Sequence, residues 1–146
     1  MNHTPLYDDL INSLPDGVIR QVSVGVLWTA VVAEVEGRLQ GGLASTLQNP
    51  EYEHTRIPLV NNPGQLTHLP ARDLAALVTS ESHTEASIGM AAVNALLPRR
   101  PDQYLAREAS DWLMEQGAGK NVAMIGHFYF IEQLKQNVQN LWVLEL

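Results

Sequence analysis

The chain has 146 residues, five histidines, no cysteine and a formal net charge of −7. With 45% hydrophobic and 17% charged residues it is globular rather than disordered, and its length suits one ordinary domain or a small domain with part of another. The 16 Asp and Glu against 9 Lys and Arg leave no basic stripe for nucleic acid or an anionic membrane surface, and the missing cysteines exclude disulfides, thiolate metal sites, iron–sulfur ligation and a Cys nucleophile.

The N-terminus, MNHTPLYDDL, lacks the basic start and apolar core of a signal peptide. The longest nearly apolar run, Val24 to Ala33, falls far short of the ~18 residues a membrane helix needs. The expectation is a soluble, cytoplasmic protein with no membrane partner. Residues 4–15 read as a short helix. Asp8 and Asp9 suit its first turn, Leu6, Leu10 and Leu14 repeat at i, i+4, i+8, and Pro15-Asp16-Gly17 stops it.

Residues 18–46 read as a three-stranded antiparallel meander. Val22, Val24 and Val26 alternate with Gln21, Ser23 and Gly25, which is period two. Glu36-Gly37-Arg38 is a hairpin tip. Gly41 to Thr46 forms a glycine-rich third strand, where glycine points to a bulge or a close backbone approach. Trp28, with Thr29 and Ala30, suits either a pocket floor or strand packing with Trp28 in the core. Residues 47–69 have no period and contain the turn signals Asn49-Pro50 and Asn61-Asn62-Pro63-Gly64, with room for one short strand near 57–60.

Pro70 suits the first turn of a helix carrying Leu74, Leu77 and Val78. Ser82-His83-Thr84-Glu85 matches a capping box opening a second helix through Ile88, Met90, Val93, Leu96 and Leu97, which Pro98 ends. Gly89, Ala91, Ala92 and Ala95 give that helix a small-residue face on which another backbone packs closely. Arg99-Arg100-Pro101 is a linker. Asp102 caps a helix with Leu105, Ala109, Trp112 and Leu113, which Gly117 and Gly119 terminate. The run Asn121 to Gly126, a helix over 129–137 and the run Leu141 to Leu146 then form strand–helix–strand with a parallel strand pair.

Two parallel strands cannot cover their own faces and edges. The expectation is therefore a truncated sheet, or an edge that pairs with another copy or another polypeptide. Addition of these strands to the meander edge is the third arrangement.

The turn Gly126-His127-Phe128 is the first chemical candidate, because ligands in open α/β sheets bind beyond the carboxyl ends of strands. Glu145 lies 19 residues past Gly126, where dinucleotide-binding folds keep a ribose-binding carboxylate. Yet only one of three fingerprint glycines is present, and Phe128 and Phe130 stand where a pyrophosphate would approach. His127 at a strand-to-helix turn is suited to binding a metal, polarising a substrate or bonding locally. The other histidines, 3, 54, 68 and 83, show no i, i+4 pair and no His-x-His. His54 and His68 share the long loop with Glu51 and Glu53, as scattered surface residues or as a converging set. Asn94 sits among apolar and small neighbours and needs a partner from a loop or a ligand. Thr29 and Thr46, on adjacent strands, suit either a pocket floor or strand packing. No Gly-x-Ser-x-Gly elbow and no P-loop occurs.

Four segments in order carry a family resemblance: Gly25-x-x-Trp28-Thr29-Ala30-Val31, Gly42-Leu43-Ala44-x-Thr46, Ile88-Gly89-Met90-Ala91-Ala92-x-Asn94-Ala95, and Val122-Ala123-x-Ile125-Gly126-His127-Phe128. Over essentially its whole length the chain resembles the bacterial and archaeal heavy-metal chelation family, in which an enolase N-terminal-like domain precedes a Rossmann-like domain. The resemblance implies an α+β fold, with residues 1–100 as the enolase-like part and 101–146 as the linker helix and first βαβ of a Rossmann-like part. Family members run on past this length and complete that sheet. The resemblance also implies a site in a cleft between the two parts, with Gly126, His127 and Phe128 on one wall and Asn94 and the Gly42–Thr46 strand on the other. Enolase likeness brings no enolase chemistry, which needs a barrel with metal-binding carboxylates.

The reading is thus a protein that binds a small molecule or metal complex, with a divalent metal as the cofactor to test. Its candidate ligand-binding residues are Gly126, His127, Phe128, Asn94, Thr46 and Glu145, with His127 as metal ligand. The alternative is a non-catalytic interaction subunit, a homo-oligomer or a partner of another chain through its C-terminal strand edge.

Overall fold

A computed structural model of the chain describes residues 5–47 and 59–145. The fold is α+β, with a three-stranded antiparallel sheet, helices and a two-stranded parallel sheet. The chain divides into two compact units, Met1–Arg99 and Arg100–Leu146. Glu51, Glu53, His54, His3, Asn49-Pro50 and Leu146 lie outside the described residues.

In the first unit, helix α1 (Pro5–Ser13) precedes strands β1 (Val18–Val24), β2 (Trp28–Val35) and β3 (Arg38–Ser45), in sheet order β1-β2-β3. The β2–β3 turn is two residues, Glu36 and Gly37, with φ of 51° and 75°. Both being positive matches the mirror-type hairpin turn whose twist suits the flanking strands. Arg38 pairs with Val35 and belongs to β3 rather than to the turn.

A bulge at Arg20 sets which face of β1 is buried. Ile19 pairs with Ala33 and Gln21 with Val32, so Arg20 is the extra residue. Strict alternation would put Ile19 and Val22 on opposite faces. The bulge shifts the parity, and Ile19 joins Val22 on the inner face with Val31, Ala33 and Val35. Arg20 itself turns to Glu34, with Nε and Nη2 donating to one carboxylate oxygen at 2.9 and 2.7 Å.

Helix α2 (Ala71–Ala76) continues into a short 3-10 turn, Leu77–Thr79. Helix α3 (His83–Leu96) is buried on most of its circumference, including Ile88, Gly89, Ala91, Ala92, Val93, Ala95 and Leu96. Small residues explain how it is packed on two sides. A Cβ on Gly42 of β3 would stand 2.2 Å from Ala91 O and 2.3 Å from Ala95 N, and a Cβ on Gly89 would stand 2.0 Å from Val78 N. The α3 backbone therefore lies directly on β3 at one face and on the Leu77–Val78 backbone at another, as the small-residue pattern predicts. A helix apolar all round belongs in such an interior.

Several details differ from the sequence expectation. Leu14 is fully buried but Leu6, two turns earlier, is 69% exposed, because α1 lays only its C-terminal end on the core. Trp28 is 59% exposed, since it alternates with buried Thr29 and so falls on the outer face of the sheet. Residues 59 and 60 form a bend, not a strand. The Ser82–Glu85 box is half formed: Ser82 Oγ accepts from Glu85 N, but the Glu85 carboxylate bonds elsewhere.

In the second unit, helix α4 (Ala109–Gly117) is followed by β4 (Asn121–Ile125), α5 (Ile131–Asn137) and β5 (Asn140–Leu144). The α4 helix starts at Ala109 with Glu108 as N-cap; Asp102 lies in a separate 3-10 turn, Pro101–Gln103, and Leu105 is exposed outside the helix. Tyr104 takes extended φ and ψ of −80° and 134°, which interrupts the helical backbone between Asp102 and Leu105. The α5 helix begins two residues later than expected, after Phe130 as N-cap. β4 and β5 are parallel in register Val122↔Leu141 to Ile125↔Leu144. Among the described residues of this unit, Phe130, Ile131 and Leu134 have buried side chains. Ile125, Trp142, Val143 and Leu144 are exposed, so the strands are apolar without being buried.

Candidate functional site

The candidate residues fall in both units. In the second, β4 ends at Ile125, and Gly126 takes φ +94°, a conformation that favours glycine. Its N–H donates to Leu144 O at 2.8 Å, carrying the ladder one step past the strand. Gly126 and Glu145 therefore each follow the last paired residues, Ile125 and Leu144, at the carboxyl ends of the two strands. His127 comes next and is exposed, as is Glu145. Among the described residues, neither side chain has a hydrogen-bond partner.

Aromatic packing shapes the rest of this turn. Phe128 and Phe130 stack at 5.6 Å between ring centroids, and Tyr129 meets Phe130 edge-on at 5.2 Å. A Cβ on Gly126 would touch the Phe128 ring at 3.4 Å, so that ring folds back over the glycine. Phe130 and Ile131 are buried and anchor the start of α5, while Ile131 N donates to Phe128 O at 3.2 Å. The turn is braced by apolar contact and leaves the imidazole outside. A bulky ring over Gly126 also leaves no bare backbone of the kind a pyrophosphate requires.

In the first unit, Asn94 and Thr46 are committed to internal bonds. Asn94 is half-buried, and its Nδ2 donates to Leu43 O at 2.8 Å, tying α3 to β3. Thr46 Oγ1 lies 2.8 Å from Thr29 Oγ1, which is fully buried. The close approach at Gly42 brings Asn94 within reach of that strand. Two grooves open nearby. One of about 360 Å³ is lined by Ala44, Ser45, Leu47, Val78, Ser87 and Met90 among others. Another of about 400 Å³ is lined by Val22, Val24, Leu59, Val60, Leu66 and Ile88 among others. Both are mostly apolar, and neither is lined by Asn94 or Thr46.

The most constrained charged group was visible in the sequence only as half of a capping motif. Glu85, 6% exposed, accepts from Ser80 Oγ at 2.6 Å, Asn61 N at 2.8 Å and Asn61 Nδ2 at 2.9 Å. Burial pushes its carboxyl up, but the hydrogen bonds from Ser80 and Asn61 outweigh burial and hold it below its ordinary value. Ser82 Oγ donates to Leu59 O at 2.5 Å. Together they fasten residues 59–61 to the start of α3. The turn signal at Asn61-Asn62 and the Ser82-x-x-Glu85 spacing are separate in sequence, and nothing local announces that one serves the other.

Among the described residues, no three His, Asp or Glu side chains gather where they could hold an ion. His127 and Glu145 offer one nitrogen and one carboxylate at one end of a sheet, fewer than a closed site requires. Among the described residues no helix is long and apolar enough to cross a membrane.

The fold is shared with two solved structures, both proteins of unknown function from the DUF364 family. The one from Desulfitobacterium hafniense DCB-2 superposes with a TM-score of 0.67 at 28% identity, covering 97% of this chain and 56% of the other. The one from Pyrococcus horikoshii gives 0.66 at 19% identity, covering 97% and 55%. The chain thus spans just over half the length of each. No curated protein matches it. Residues 7–97, more than half of the sequence and including the meander, Asn94 and Thr46, match the DUF4213 family, described as "Putative heavy-metal chelation", and the chain belongs to that family.

Proposed function

We propose that the chain binds a metal complex or small molecule at the carboxyl ends of β4 and β5. His127 is the donor in this reading, Glu145 the neighbouring carboxylate, and Gly126 with Phe128 the turn that presents them. The observation that carries the reading is the uncommitted imidazole. The fold spends Asn94 and Thr46 on internal hydrogen bonds but leaves His127 exposed, without a partner among the described residues, one step from Glu145's strand end.

A single imidazole does not hold a bare divalent ion well, because a structural site takes four ligands. A metal already held by a chelator and left with an open position needs only one more. That favours a pre-coordinated metal as cargo over a resident ion, in keeping with a family described by chelation.

Calorimetric titration tests this. Zinc bound to iminodiacetate should bind with one-to-one stoichiometry, and zinc ion alone more weakly. His127→Ala should weaken the complex by at least about tenfold, the low end of what even an outer-shell partner contributes. Glu145→Gln should have a smaller effect in the same direction. Equal binding by the native chain and His127→Ala removes the assignment.

A second reading rests on a different observation. Ile125 is 79%, Leu144 57% and Trp142 53% exposed on a two-stranded sheet. An interaction subunit that covers this sheet with another chain accounts for them. Native mass spectrometry of Trp142→Glu against the native chain separates the readings: a lost assembly with intact metal-complex binding favours the second.

A further inference from the structure

Among the described residues no strand pairs with β3 on the side away from β2, and two side chains occupy that edge. β3 is last in the sheet order β1-β2-β3. Thr46 N donates to Leu27 O at 2.9 Å, which fixes the alternation of the antiparallel ladder. Even-numbered residues of β3 bond to β2. Odd-numbered ones, including Gly41 and Leu43, turn their N–H and C=O groups away from β2 toward the free edge.

Both of those carbonyls are taken. Asn94 Nδ2 donates to Leu43 O at 2.8 Å and Arg99 Nη2 donates to Gly41 O at 2.9 Å. Asn94 is in the last turn of α3 and Arg99 follows shortly after it. Asn94 reaches the edge because α3 rests on β3 at Gly42, where no Cβ fits.

The strand they guard needs guarding. Its sequence, RLQGGLAS, is eight residues with one charge at its start and no proline. Such an edge templates another strand. A second copy pairing antiparallel about Gly42 would set Gly41 against the partner's Leu43. In that register Gly41 O accepts from the partner's Leu43 N–H, and Leu43 O accepts from the partner's Gly41 N–H. These are the two carbonyls that Arg99 and Asn94 occupy. We infer that Asn94 and Arg99 are edge guards that keep two copies of this chain from pairing through β3 in the register centred on Gly42.

Light-scattering mass over a concentration series tests it, with far-UV circular dichroism reporting the fold. The variant Asn94→Ala/Arg99→Ala should rise with concentration to twice the mass of the native chain. Adding Gly41→Pro should return it to the native mass. Proline removes the N–H this register needs, and the N–H it removes points away from β2, so the native ladder survives. A folded double variant with native mass overturns the inference, as does a doubled mass that persists with Gly41→Pro. If the double variant does not fold, Arg99→Ala alone decides. A partial rise in mass that Gly41→Pro reverses supports the guard, and no rise overturns it.

Discussion

Replacing Gly42 by alanine tests the central packing contact of the first unit. The added methyl would stand 2.2 Å from Ala91 O, 2.3 Å from Ala95 N and 2.7 Å from Asn94 C, all backbone atoms of α3. Backbone in a helix cannot rotate out of the way as a side chain can. To reach 3.4 Å, the start of ordinary contact, α3 has to withdraw by about 1.2 Å. It is pinned on its other side, where Gly89 already meets the Val78 backbone. Overfilling a packed core typically costs about 1–3 kcal/mol, and with helix backbone on both sides the upper end applies. Relief from the lower entropy of the unfolded chain returns about 0.4–1 kcal/mol. The expected net loss is about 2 kcal/mol. Urea unfolding followed by circular dichroism and tryptophan fluorescence measures it. Gly41→Ala is the internal control, because nothing lies within 4 Å of a Cβ there; it should be neutral or slightly stabilising. Equal stability of Gly42→Ala and the native chain, or equal losses at both positions, refutes the account of how α3 sits on β3.

Other sites give separate tests. Glu85→Gln should destabilise at neutral pH by on the order of 2 kcal/mol, since a buried charge-assisted network is lost. The folded carboxyl of Glu85 is held below its ordinary 4.5, so its contribution is full above that value and is lost as pH falls through the folded value; Glu85→Gln should lose less stability than the native chain over the same acid titration, and an equal loss would count against the network. Thr46→Val leaves the buried Thr29 hydroxyl without its partner and should cost about 1–3 kcal/mol, whereas Thr29→Val/Thr46→Val should cost less than the two single changes together, as a double-mutant cycle by thermal melting would read. Leu134→Ala removes a fully buried side chain from a unit with few of them and should cost about 2–5 kcal/mol, seen as lost amide-exchange protection across β4 and β5; retained protection would show that α5 does not hold the strands.

The meander was legible because its signals are local and agree. Period-two valines, a Glu-Gly turn and a glycine-rich third strand each point to the same hairpins. The parity of β1 was not legible, because a bulge at Arg20 leaves no mark in the residue types around it and changes which face Ile19 joins. Trp28 misled for a related reason. Aromatic residues are usually counted into a core, but alternation from buried Thr29 puts this one outside. The α3 packing was legible in kind: Gly89, Ala91, Ala92 and Ala95 predicted a close backbone approach. Which backbone approaches depends on tertiary placement, and β3 and the Leu77–Val78 turn both do. The start of α4 was missed because Asp102 and Leu105 look like a cap and a first apolar position, while Pro101 begins a 3-10 turn that ends before any α ladder forms.

The polar candidates divide by whether the fold consumes their hydrogen-bonding capacity. Sequence could say that Asn94 needs a partner but not which one, since a ligand and a strand carbonyl satisfy an amide equally. The strand supplies it here, at Leu43 O, and Thr46 is likewise taken by Thr29. Glu85 shows the strongest form of the same effect. A carboxylate at a helix start could face an ion, but three donors from Ser80 and Asn61 already neutralise the need for one. His127 and Glu145 fall on the other side of this division. His127 follows a glycine that only a turn explains, beside the buried Phe130 and Ile131 that make the packing contacts, and Glu145 follows the last paired residue of β5. Replacing His127 therefore removes no buried surface and breaks no internal bond among the described residues. A change in binding without a change in stability is the signature that separates it from Asn94, whose loss should register in the fold or in the edge it guards.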